Sequence, residues 1–137
     1  MNYEENLKKL NIKLPEAKAP VGNYVAAKIS GKMLFISGQI SIDENGQLIK
    51  GKVGKELDIE AGYNAAMRCA LSIIAQVKKA CDNDLSKVRS CVKLTGFVNS
   101  TNEFTDQPKI INGASDLIAS VFGDSGMHTR AAVSTNS

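Results

Sequence analysis

One histidine, three cysteines and no tryptophan occur in 137 residues. A single histidine cannot build a His-based metal cluster. Cys69, Cys81 and Cys91 form an odd set without metal-ligand spacing, so no disulfide framework is indicated and a reducing compartment fits. Aromatics are 5% of the chain and the net charge is only +3. The lysines are scattered, so the basic stripe interleaved with stacking rings that nucleic acid requires is missing. Gly51-Lys52-Val53-Gly54-Lys55 lacks the spacing of a phosphate loop, and neither Gly-x-Ser-x-Gly nor Cys-x-x-Cys occurs. No apolar run approaches the roughly 20 residues of a membrane span. The start, Met1-Asn2-Tyr3-Glu4-Glu5, lacks the apolar core of a signal peptide. The expectation is a cytoplasmic protein with no membrane partner and no cofactor, whose chemistry works by positioning, polarisation and water.

Length and composition predict one domain, 1–137, large enough to bury a core. Residues 1–13 read as a polar helical arm that Leu7, Leu10 and Ile12 could dock. Tyr24 to Ile29 and Met33 to Ile40 read as strands of a hairpin turning at Gly31-Lys32. Asp43 to Gly46 reads as a turn, followed by a short extended piece from Gln47 to Lys50. A long helix begins at the cap Asp58, with a stripe at Ile59, Tyr63, Ala66, Met67, Ala70, Ile73, Ile74 and Val77. Val88 to Val98 is a strand with Val92, Leu94, Gly96 and Val98 on one face. A second helix starts near Thr105 to Pro108 and stops at Gly123, and a last strand begins near Thr129. The order predicts an α+β fold, two helices on one face of a mixed β-sheet. Met33 and Phe35 face one way and Leu34 and Ile36 the other, so this strand is apolar on both sides. Two helices cover only one face, which predicts a homo-oligomer.

Arg130 opens the last apolar run in His128-Thr129-Arg130-Ala131-Ala132-Val133. Its guanidinium is a planar fork suited to a carboxylate. An isolated arginine is most often a surface residue or the partner of a helix acid. Gly38, in Ile36-Ser37-Gly38-Gln39-Ile40, would let a ligand approach the backbone, although the ordinary reading is a strand-end bulge. Tyr24, after Ala19-Pro20-Val21-Gly22-Asn23, reads as a half-exposed edge residue or a pocket wall. Asn112 interrupts the stripe of the second helix. His128 shares a strand face with Arg130, and a solvated loop histidine is its simpler reading.

Taken together, the segments around Tyr24, Gly38 and Arg130 resemble the Rid family, also called YjgF or L-PSP, from about residue 14 onward. Gly51 to Gly54 and Phe104 to Pro108 look like a longer variant branch. The resemblance implies a chorismate mutase-like fold and a homotrimer whose sheets curl around a central barrel, with sites between subunits. It implies that Arg130 clamps a carboxylate, that the Gly38 and Ala132 N–H groups hold its oxygens, and that Tyr24, Ser37 and Asn112 line the pocket. Ala132 stands where the family often has cysteine, so thiol reactivity does not carry over. The implied activity is an enamine/imine deaminase that turns 2-aminoacrylate-like enamines or 2-imino acids into 2-keto acids and ammonia. The other readings are a non-catalytic module binding a small carboxylate metabolite and a single-stranded endoribonuclease acting as a translation inhibitor. The family's water-orienting acid lies on a further strand that has no counterpart within 1–137, so the chain is expected to stop short of it.

Overall fold

Asp58 accepts a hydrogen bond from Ala61 N at 2.8 Å and so caps α2, Ile59–Ala80, the longest element. Such a cap contributes about 1 kcal/mol. In this computed structural model, which describes residues 2–136, α2 buries Ala66, Ala70, Leu71, Ile74 and Ala75. Ile59, expected in the stripe, lies exposed at its first turn. α3, Gln107–Phe122, has proline in its first turn and ends at Gly123. Its stripe of Ile110, Ile111, Ala114, Ile118, Val121 and Phe122 is buried against α2 and the core. The two helices approach so closely that a Cβ on Gly113 would overlap the Tyr63 carbonyl oxygen.

The N-terminal arm is α1, Tyr3–Lys9, capped by Asn2 and docked against the end of α3. Leu7 is buried, the Tyr3 ring meets Phe122 edge-on, and Asn6 Nδ2 donates to Val121 O at 2.8 Å. Ile12 packs against the core, whereas Leu10, expected to dock, is largely exposed.

The strands form two ladders where a single mixed sheet was expected. β1, Ala27–Ser30, pairs antiparallel with β2, Met33–Ile36, and Gly31 takes the positive φ that the tight turn needs. Both strands are shorter than expected: after Ser37 N bonds Ala26 O, residues 38–40 have no ladder partner. β3, Lys93–Asn99, pairs in parallel with β4, Thr129–Thr135, and α3 is the crossover between them. β3 starts later than expected because Leu85–Lys87 is a helical turn and Cys91 N bonds Ser125 O instead of a strand. The piece after the Asp43–Gly46 turn makes only the bridge Ile42↔Leu48.

Each ladder has its own helix: β1 and β2 lie on α2, and β3 and β4 lie on α3. Leu34 and Ile36 are half-buried on the helix side. The other side, expected to be covered as well, carries exposed Met33, Phe35, Phe97 and Val133. The architecture is thus α+β, with helices on one side of small ladders and an apolar surface on the other.

Candidate functional site

Arg130 and Ala132 stand two residues apart on β4, so both face the same side, toward α3. On α3, Pro108, Asn112 and Ser115 fall at spacings of four and three and share one helix face. Arg130 Nη1 donates to Asn112 Oδ1 at 2.7 Å and to Ser115 Oγ at 3.2 Å. Nη2 points at the Pro108 carbonyl at 3.5 Å. Among the described residues, Nε–H and one Nη2–H make no hydrogen bond, and no carboxylate forms an ion pair with this guanidinium. The acids of α3 and its cap are engaged elsewhere. Asp106 pairs with Lys109, and Asp116 accepts the Tyr63 hydroxyl at 2.6 Å, a bond that raises the Tyr63 pKa. Arg130 is therefore a half-buried cation held only by neutral acceptors, with a two-pronged donor edge to spare.

His128, expected as a solvated loop residue, is half-buried and bonded through both ring nitrogens. Nδ1 lies 2.6 Å from Gly126 O and Nε2 lies 2.9 Å from Ser115 Oγ. Ser115 thus joins the histidine to the arginine. Sequence reasoning missed Ser115. The available signal was a second polar notch, three residues after Asn112, in an otherwise apolar stripe.

Tyr24, Ser37 and Gly38 flank the other ladder and are not hydrogen-bonded to the Arg130 group. Tyr24 is half-exposed, at the end of a bend before β1. Ser37 Oγ donates to Val25 O at 2.6 Å, so its hydroxyl closes the hairpin. Gly38 is open: a Cβ there would meet nothing within 4 Å, and its φ is not in the left-handed region. The bulge reading of this glycine therefore has no support in the described fold. The shallow surface recesses, one beside Asn2 and Asp84 and one beside Leu14 and Ala75, lie away from both groups.

No thiol belongs to the site. Burial pushes the Cys69 pKa up to about 11 and raises that of Cys91, so both stay protonated near neutrality. Among the described residues no three His, Cys, Asp or Glu side chains gather as metal ligands, and no helix is long and apolar enough to cross a membrane.

Comparison with known proteins places the fold. Residues 4–137 match the family described as "YjgF/chorismate mutase-like, putative endoribonuclease". The chain is 46% identical to Protein TCP17 of Trypanosoma cruzi over 129 residues, 93% of this chain and 80% of the relative. Among solved structures it is similar to Atu1372 of Agrobacterium tumefaciens, a protein described as of unknown function. That match has 46% identity and a TM-score of 0.89, over 98% of this chain and 83% of the other. A Shewanella oneidensis protein described as "a putative endoribonuclease" matches at 34% identity and a TM-score of 0.93, over 98% and 89% of the two chains. A family match over nearly the whole chain, and a shared fold in relatives of this identity, show that the chain belongs to the YjgF/chorismate mutase-like family.

Proposed function

We propose that this protein is an enamine/imine deaminase acting on small 2-imino acids. The observation that carries the reading is Arg130, oriented by neutral acceptors and paired with no acid among the described residues. A substrate carboxylate would take its spare N–H donors in a charge-assisted, two-pronged contact. Water adds to the imine carbon, the C–N bond breaks, and ammonia leaves a 2-keto acid. Imines already hydrolyse in water, so orientation and a fixed positive charge suffice to accelerate the step. No cofactor enters this balance.

Tyr24 and Gly38 join the proposal through the outer apolar face. Met33, Phe35, Phe97 and Val133 are exposed in one chain, which supports a homotrimer closed on this surface. In such an assembly the hairpin of one copy faces the Arg130 group of the next. The openness around Gly38 supports this arrangement, since nothing within the chain calls for a glycine there. Ala132 would lend its backbone beside Arg130. The unpaired cysteines support a reducing, cytoplasmic location.

A second reading is a non-catalytic trimer that binds a small carboxylate metabolite. It is favoured by the composition of the Arg130 group, in which no acid stands ready to activate water. Ammonia release from several 2-imino acids generated in place, wild type against Arg130→Ala, separates the readings. A deaminase loses at least about tenfold in kcat/KM with the variant, given the usual worth of a charged contact. A wild type no faster than the uncatalysed reaction would leave the binding module. RNA cleavage with a steep salt slope that is lost with Arg130→Ala would instead favour the activity named for the relatives.

A further inference from the structure

Ser115 and His128 have no place among the ligand contacts proposed above, yet both are tied to Arg130. The Gly126 carbonyl can only accept, so His128 Nδ1 carries the proton in that 2.6 Å contact. In the tautomer that carries its proton on Nδ1, Nε2 is the acceptor, and the Ser115 hydroxyl donates to it across 2.9 Å. With its proton committed, Ser115 Oγ presents lone pairs to Arg130 Nη1 at 3.2 Å. Every donor in this chain has an acceptor, and the directions agree from the backbone carbonyl to the guanidinium.

We propose that Ser115 and His128 are positioning residues that set the plane of the Arg130 guanidinium for carboxylate capture. The inference rests on the clamp reading of Arg130. An arginine stem has many rotamers, and ordering it only on binding would weaken capture. Asn112 fixes one Nη1 hydrogen, about which the fork could still turn. Ser115 fixes the second hydrogen of the same nitrogen and so fixes the plane. A serine hydroxyl is itself a free rotor, and His128 stops it. The histidine is anchored on the turn Gly123–Gly126, which is pressed on α3: a Cβ on Gly126 would come 2.5 Å from Ile118 O. The groups that bond Arg130 directly are neutral. They orient the cation without cancelling its charge, whereas an aspartate in their place would compete with the ligand.

Pyruvate, a small 2-keto carboxylate, is the probe, titrated calorimetrically into the whole protein. Ser115→Ala and His128→Ala should each weaken its binding about 3- to 10-fold, the worth of one neutral hydrogen bond. The KM for an imino acid should rise in parallel while kcat changes less. Ser115→Thr, which keeps the hydroxyl, and His128→Gln, which keeps an acceptor, should return to within about twofold of wild type. The double variant Ser115→Ala/His128→Ala should be no weaker than the worse single one, because both break the same chain. Thermal unfolding monitors the fold of each variant. Unchanged pyruvate binding in the single variants, or losses that multiply in the double, would overturn the positioning role while Arg130→Ala still abolishes binding. If Arg130→Ala itself binds pyruvate as wild type does, the clamp reading fails and the positioning role falls with it.

Discussion

The β3–α3–β4 unit and the β1–β2 hairpin both carry residues of the candidate site, but they hold them differently. Arg130 is bonded from a second element, by Asn112 and Ser115 on α3, and Ser115 is in turn bonded to His128. Tyr24 and Gly38 are exposed, and Ser37 is bonded only to its own hairpin. Both ladders rest on a helix, but only in the β3–α3–β4 unit does the helix hold the site side chains. The difference teaches that the organised half can be tested in a single chain, whereas the open half acquires meaning from what meets it.

The largest expected effect strikes the organised half. Gly113→Ala forces a methyl group into the Tyr63 carbonyl, where α2 and α3 offer no room. Overpacking of this kind costs about 1–3 kcal/mol, here at the upper end because the obstacle is backbone. Urea unfolding should show that loss. Stability within about 0.5 kcal/mol of wild type would show that α3, and the Arg130 group with it, is held less tightly than described.

Phe35→Asp sharpens the contrast from the other side. Phe35 is 58% exposed in one chain, so the folded chain should tolerate the change. An assembly that buries the residue would not, since an unpaired charge is costly to bury. Sedimentation velocity should report monomers for the variant and trimers for wild type at micromolar concentration. A wild-type monomer would remove the oligomer from the account.

How much of this is legible in the sequence follows the same divide. The helices are legible because their stripes and caps are local: Asp58 begins α2, and Pro108 and Gly123 bracket α3. Arg130 and the face it shares with His128 follow from the period of two along a strand. Ser115 is not legible, because its role arises from packing β4 over a helix 15 residues earlier in the chain. Strand ends are misjudged for a related reason. The apolar run from Met33 to Ile40 looks like one strand, but a ladder lasts only as long as its partner, and the pairing stops at Ala27↔Ile36. Whether ladders join into one sheet depends on edges that hydropathy does not encode.

Gly38→Ala should leave stability within about 0.5 kcal/mol, since the new methyl meets nothing in the chain. It should still depress imine hydrolysis if a ligand or a second copy approaches there. Loss of stability together with activity would return this glycine to an internal structural role. The smallest expected effect concerns the thiols. With its pKa pushed up to about 11 by burial, Cys69 should resist iodoacetamide at neutral pH in the native protein and react once unfolded. Peptide mass mapping of the labelled chain checks this, and rapid native labelling of Cys69 would mean that α2 opens readily.

The claim that the two halves meet between copies is tested most directly by complementation. Arg130→Ala keeps an intact hairpin, and Gly38→Val keeps an intact Arg130 group. Each alone should hydrolyse 2-imino acids no faster than buffer. Unfolded together and refolded as mixed oligomers, they should recover up to about a quarter of the wild-type rate, the share of interfaces that random mixing leaves with both halves intact. Mixed oligomers as inactive as their parents would contradict the account.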